Sequence, residues 1–268
     1  MQANPNFMNW EKPGRALITG ASSGMGAEFA RRLAGEGFNL VLVARRKETL
    51  DQLANELKSK NGISVEVLAA DLADPEAVDR VAARIRELND LDVLISNAGF
   101  GLSGGFMSSD YQRMLDMIQV HDITSVVLAR TALPIMVNRN RGALVFTASV
   151  AAFSPAPGMY SPTKAFLVML AECLSMELHD TSVRVQALCP GFTHTEFHDK
   201  TTELKELKKS IPKMAWGTPA GVVNESLAGL RKNKVIVVPG RLNRFVKNAP
   251  MFLKKRVTMK HKTTKKTK

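Results

Sequence analysis

Between Arg15 and Val238 the chain alternates short, nearly charge-free runs with longer segments of helical periodicity. The short runs are Arg15–Ile18, Asn39–Val43, Ser64–Ala70, Asp92–Ile95, Gly142–Thr147, Val183–Leu188 and Lys234–Val238. Between them lie helical patterns near Gly26–Gly35, Lys47–Ser59, Pro75–Leu88, Ser109–Arg139 and Tyr160–His179. A strand that is apolar on both faces must be covered on both faces, and connecting helices supply the cover. Right-handed crossovers then leave one solution: an α/β, doubly wound parallel sheet of seven strands with helices on both faces.

With 268 residues and 29.3 kDa, the chain has enough length for one such domain and a large core. No repeat or linker divides it, so residues 1–253 read as one dinucleotide-binding and catalytic domain. Residues 192–217 lack a strand pattern and read as a substrate loop. Cys173 and Cys189 are too few for a disulfide framework or a metal site. Both read as inert core thiols in a reducing, cytoplasmic setting. Met1 to Lys12 has no apolar run of the kind a secretory signal carries. The uncharged stretch Gly142–Thr163 holds Pro155, Pro157 and Pro162, which suits a buried strand and loop better than a membrane span.

The net charge of +12 is concentrated at one end, because Arg241 to Lys268 holds eleven Lys and Arg and no acid. Everything before it sums to about +1. The basicity therefore describes a tail, residues 254–268 of which read as disordered, and no folded nucleic-acid-binding motif accompanies it.

The first run leads into Thr19-Gly20-Ala21-Ser22-Ser23-Gly24-Met25-Gly26 and then a helix. Small residues there let the chain turn tightly and let its backbone approach a pyrophosphate at the helix N-terminus. Gly20, Ser22, Ser23, Gly24, Met25 and Gly26 are the candidate cradle of a Rossmann-type dinucleotide site. A free ribose 2′-OH calls for an acid at the end of the second strand. The chain has Val43-Ala44-Arg45-Arg46 instead. Two guanidinium groups suit a 2′-phosphate, so NADP(H) is preferred over NAD(H), unless Arg45 and Arg46 merely open an exposed helix. Asp71 and Leu72 end the third strand and are placed to meet an adenine. Asn97-Ala98-Gly99 ends the fourth, where small residues permit close approach. Either segment also fits simple turn chemistry.

Tyr160 and Lys164 are four residues apart, hence on one face of a helix. A carbonyl receiving hydride needs a proton, and a tyrosine can give it if a cation lowers its pKa from ~10. Ser149, just beyond the fifth strand, is the candidate to orient the substrate oxygen, with Ser154 and Ser161 as rivals.

These motifs resemble the short-chain dehydrogenase/reductase family over about residues 13–240. The match rests on Thr19–Gly26, Asp71, Asn97-Ala98-Gly99, Ser149, Tyr160-x-x-x-Lys164 and Pro190-Gly191. The resemblance implies Tyr160 as acid/base, Lys164 binding the nicotinamide ribose and lowering the Tyr160 pKa, and Ser149 orienting substrate. It also implies that the stretch Cys189–Phe197, with Pro190, Gly191, Thr193 and Thr195, helps hold the nicotinamide amide. Three features depart from the pattern. His121 stands in Val120-His121 where the family has an Asn that anchors a relay water. It either holds a water or relays a proton itself, or is a satisfied helix histidine. Ser149 and Tyr160 are 11 apart, about two fewer than usual. Pro162 lies between Tyr160 and Lys164, so the helix must begin near Tyr160.

Phe153, Met159, Phe192, Phe197, Met214 and Trp216 give the candidate pocket an apolar rim, which favours a hydrophobic carbonyl or alcohol substrate. The helix Ala165–Leu178 is apolar almost all round, consistent with a homo-oligomer, dimer or tetramer. Leu242, Phe245, Val246, Met251, Phe252 and Leu253, interleaved with cations, also fit a peripheral membrane-surface contact. The expected activity is a carbonyl reductase or alcohol dehydrogenase; the alternative is an NADP-binding sensor or scaffold that has lost turnover.

Overall fold

The structure is a computed structural model that describes residues 11–199, 216–240 and 243–244. Seven strands, β1 (Arg15–Thr19), β2 (Asn39–Ala44), β3 (Val65–Ala69), β4 (Leu91–Ser96), β5 (Gly142–Thr147), β6 (Val183–Leu188) and β7 (Ile236–Val237), form one sheet. Every pairing is parallel and the order is β3-β2-β1-β4-β5-β6-β7. Strand order reverses between β1 and β4, so their carboxyl ends part to leave a crevice.

Alternation along the strands divides the core in two. Leu17, Val41, Val43, Leu94, Leu144 and Phe146 point to the face covered by α3 (Pro75–Arg86), α5 (Thr124–Asn138) and α6 (Tyr160–Glu177). Ala16, Ile18, Leu40, Leu42, Val93 and Val145 point to the face covered by α1 (Gly24–Gly35), α2 (Lys47–Asn61) and α7 (Pro219–Arg231). Each fully buried leucine, isoleucine or phenylalanine contributes roughly 1.5–3 kcal/mol of transfer free energy.

The structure alters the sequence reading at four places. α7 was not among the expected helices, although its entrance is written in Thr218-Pro219: the Thr218 hydroxyl accepts from the Gly221 N–H, and proline occupies the first turn. The expected helix Ser109–Arg139 is α4 (Tyr111–Ile118) and α5 joined by a π turn, Gln119–Ile123. The Thr124 hydroxyl donates to the Gln119 carbonyl at 2.8 Å and the Ser125 hydroxyl to the His121 carbonyl at 2.5 Å, which satisfies carbonyls at the irregular turn. Cys189 is buried, but Cys173 is exposed. The reason is that α6 buries Leu167, Val168 and Ala171 and turns Phe166, Met169, Cys173 and Met176 outward. The last strand is only Ile236–Val237, although the Val235 carbonyl still accepts from the Ala187 N–H. The basic tail from 245 on, residues 200–215 of the expected substrate loop, and Met214 lie outside the described residues.

Candidate active site

The carboxyl ends of β1 and β4 are tied together by one hydroxyl. Thr19 Oγ1 accepts from the Asn97 and Ala98 N–H groups at 2.9 and 3.0 Å, while Asn97 Nδ2 returns a bond to the Thr19 carbonyl at 3.0 Å. The same amide's oxygen accepts from the Thr147 hydroxyl at the end of β5, at 3.3 Å. Asn97 thus braces the cleft from three strands. Gly26 is buried where α1 leaves the loop, and a Cβ there would collide with the Gly20 carbonyl. Close packing of the loop on its helix therefore demands glycine.

The crevice so formed is lined by Gly20, Ser22, Ser23, Gly24, Met25, Arg45, Arg46, Asp71, Leu72, Asn97, Ala98, Gly99 and Thr195 of the expected cofactor residues. The first turn of α1 has neither a side-chain cap nor an acidic residue, so its free N–H groups face the crevice. This fits a pyrophosphate. Arg46 donates to the Ser22 hydroxyl at 3.1 Å and pairs with Glu196 at 3.0 Å; Arg45 approaches Asp71 at 3.8 Å. Pro190, Gly191 and Thr193 are not among the residues lining the crevice; the Pro190 carbonyl accepts from the Val150 N–H and the Thr193 hydroxyl donates to the Gly191 carbonyl, so they brace its wall.

Tyr160 and Lys164 are not among the residues lining the crevice; the Tyr160 ring lies 5.9 Å from Phe197, which does line it, and 6.0 Å from His121. α6 begins at Tyr160, with Pro162 in its first turn, so the proline costs no helix hydrogen bond. The shortened connection from Ser149 does not separate the pair. The chain closes the distance with a 3-10 turn, Val150–Phe153, capped by Ser149 Oγ accepting from the Ala151 N–H, and Ser149 lies near enough to Tyr160 to draw the phenol's pKa down. Ser154 and Ser161 have no such effect on it. Lys164 is buried, donates to the Thr147 carbonyl at 2.9 Å, and places its ammonium 5.6 Å from the centre of the Tyr160 ring.

Electrostatics depart from the expected pattern. Burial pushes the Tyr160 phenol up to about 12, and Ser149 only partly opposes it. Lys164 is itself pulled down to about 8 by burial, against which Asp122 and Cys189 raise it. At neutral pH the lysine still carries mostly positive charge, yet burial dominates at the phenol and leaves Tyr160 above its ordinary value.

His121 occupies the family's asparagine position and is fully enclosed. Its Nε2 accepts from the Phe100 N–H at 3.1 Å, which places the ring proton on Nδ1. Nδ1–H then faces Thr163 Oγ1 at 2.9 Å, and the Thr163 hydroxyl donates to the Tyr160 carbonyl at 3.0 Å. Burial first, and the Lys164 charge second, hold the imidazole well below its ordinary pKa. Of the two roles left open by the sequence, the geometry supports the satisfied histidine: both nitrogens are engaged, and the ring clamps the β4 loop to the catalytic helix. Gly99 is part of the clamp, since a Cβ there would lie 2.9 Å from His121 Nε2.

The family model described as short chain dehydrogenase matches residues 15–206. The chain belongs to the short-chain dehydrogenase/reductase family. Among solved structures, the short-chain dehydrogenase from Sphingobium yanoikuyae in complex with NADPH superposes with a TM-score of 0.79 at 32% identity, covering 95% of this chain and 96% of that one. The NADP-dependent 3-hydroxy acid dehydrogenase of Schizosaccharomyces pombe is 31% identical over 84% of this chain and 90% of its own length. The very-long-chain 3-oxoacyl-CoA reductase of Phaeosphaeria nodorum is 34% identical over 81% of this chain but only 63% of its own. This short-chain dehydrogenase therefore spans about three fifths of the length of that relative.

Two groups in the short-chain dehydrogenase's site escaped the sequence reading. Asp122, next to His121, has its carboxyl pushed up to about 7 by burial, with Lys164 pulling the other way, and its Oδ1 is enclosed without a hydrogen-bond partner. Nothing in the sequence set it apart, because the same expected helix also holds Asp110, Arg113, Asp116 and Arg130. Thr163 gave no signal, because its partner lies 42 residues away.

Proposed function

We propose that the chain transfers hydride between NADP(H) and a hydrophobic carbonyl or alcohol, with Tyr160 as acid/base. The observation that carries this reading is Tyr160 with Ser149 and the buried Lys164 around it, next to Phe197 of a crevice that is also lined by Arg45 and Arg46. Ser149 would hold the substrate oxygen, and the Tyr160 proton would pass to the oxygen that becomes the alcohol. Lys164 Nζ is positioned to hold a ribose hydroxyl while its charge opposes the upward push on the phenol. Two arginines and no acid at the end of β2 support the 2′-phosphorylated cofactor. The retained approach of Ser149 to Tyr160 argues against the non-catalytic alternative.

The aromatic surround supports an apolar substrate. Phe197 lies 5.9 Å from Tyr160, and Phe192 lies 5.5 Å from Trp216. Taken with the relatives, 3-oxoacyl thioesters and 3-hydroxy acids head the panel. Assembly belongs to the same proposal: Ile123 and Val126 on the π turn and α5, and Phe166, Met169 and Met176 on α6, form exposed apolar faces suited to a second copy. We place the protein in a reducing, cytoplasmic compartment, with its basic tail available to a membrane surface.

The deciding experiment is cofactor oxidation against apolar ketones, aldehydes and 3-oxoacyl thioesters, with NADPH and NADH in parallel. Turnover that prefers NADPH, and that falls by about 10²-fold or more in Tyr160→Phe while NADPH binding persists, is the expected result. Undiminished turnover in Tyr160→Phe would overturn the assignment.

A further inference from the structure

The segment that follows β6 returns across the mouth of the cofactor crevice. It is fixed at its root by pairing of Thr193 with Gly217, by His194 N–H donating to the Gly217 carbonyl at 3.0 Å, and by Gly217 N–H donating to the Phe192 carbonyl at 2.8 Å. Thr195 then lies over the glycine loop, so close that a Cβ on Gly24 would stand 3.0 Å from its methyl group. The next residue, Glu196, sends its carboxylate to Arg46 at 3.0 Å.

Arg46 is held in place by the loop itself. Its Nε and Nη2 reach Ser22 Oγ at 3.3 and 3.1 Å, and Nη2 also reaches the Ser22 carbonyl at 3.5 Å. The guanidinium and the Ser22 hydroxyl thus make a fixed anion-binding corner, and an anion already occupies it: the Glu196 carboxylate. Arg45, beside it, is shared with Asp71 at 3.8 Å. A guanidinium prefers a doubly charged phosphate to a carboxylate on charge, and the fork geometry suits either.

We propose that Glu196 is a specificity-determining residue that competes with the 2′-phosphate of the cofactor for Arg46. It rests on the reading that Arg46 binds that phosphate. Glu196 belongs to the chain, so its local concentration at Arg46 is high, and a 2′-phosphate must displace it to bind. A cofactor fragment with a free 2′-hydroxyl has no need of the guanidinium and leaves the pair intact. Glu196 therefore weakens the phosphorylated ligand selectively and lowers the discrimination that Arg46 would otherwise give. Both side chains are about half exposed, which sets the size of the effect: an exposed ion pair of this kind changes an equilibrium by about two- to fivefold.

The test is calorimetric titration of 2′-AMP and 5′-AMP into the full-length protein, Glu196→Gln and Arg46→Ala. Glu196→Gln should bind 2′-AMP about two- to fivefold more tightly than wild type and 5′-AMP equally. The gain should shrink in high salt, where exposed pairs are screened. Unchanged or weaker 2′-AMP binding in Glu196→Gln, with Arg46→Ala still losing the preference for 2′-AMP, overturns the role of Glu196 alone. Arg46→Ala with the wild-type preference overturns the 2′-phosphate reading at Arg46 and the competition with it.

Discussion

Replacing His121 by phenylalanine separates a clamp from a proton relay. The substitution roughly fills the space but removes both ring nitrogens. The Phe100 N–H, in a half-buried segment, loses its acceptor, which costs about 1–2 kcal/mol. Loss of the bond to Thr163 adds about 1 kcal/mol, because the threonine keeps its bond to the Tyr160 carbonyl. The sum, about 2–3 kcal/mol, corresponds to a fall in Tm of roughly 4–12 °C for a domain of this size. Circular dichroism melts at pH 7.5 measure it, with His121→Asn expected between phenylalanine and wild type. The clamp also predicts a pH signature. The imidazole is held well below its ordinary pKa, so it stays neutral where a free histidine would titrate and contributes no limb to the kcat profile there. A His121→Phe protein that melts with wild type would refute the clamp. So would an acidic limb near pH 6–7 present in wild type and missing in the variant.

Four further outcomes are expected. Asp122→Asn should raise Tm at pH 8 more than at pH 4.5. The folded carboxyl titrates near 7 instead of its ordinary 3.8, so ionisation of the unfolded chain erodes stability as pH rises between those values, and the amide removes that loss; equal gains at both pH values would contradict the burial argument. In the same variant Lys164 loses the neighbour that raises its pKa, so the limb it contributes to kcat/KM should move below pH 8. Met169→Lys with Met176→Lys should convert an assembled protein to a smaller species in sedimentation velocity without lowering Tm, since both side chains are mostly exposed. Removing residues 245–268 should abolish binding to anionic vesicles and leave carbonyl reduction unchanged; full retention of vesicle binding would remove the tail from the account.

What could be read from the sequence follows the range of the interactions involved. The strands were legible because an apolar run between helices has one way to be buried, and the glycine loop because its steric demand falls on three residues close in sequence. Tyr160 and Lys164 were legible because helical spacing sets them on one face. By contrast, the clamp joins Phe100, His121 and Thr163 from three separate segments, and nothing local distinguishes a histidine with two partners from one with a free nitrogen. The same limit explains the Ser149–Tyr160 spacing. Counting residues measures contour length, while contact depends on whether the intervening chain coils, and the 3-10 turn at Val150–Phe153 was not in the count. Arg46 is the sharper case. Its sequence position at the end of β2 argued for a phosphate, from its charge, its fork geometry and the absence of an acid there, all of them local features. The fold brings Glu196 to the same guanidinium from 150 residues away. Charge at a strand end therefore indicates which cofactor a site can accept, whereas the strength of its preference depends on which of the chain's own anions reaches that charge first.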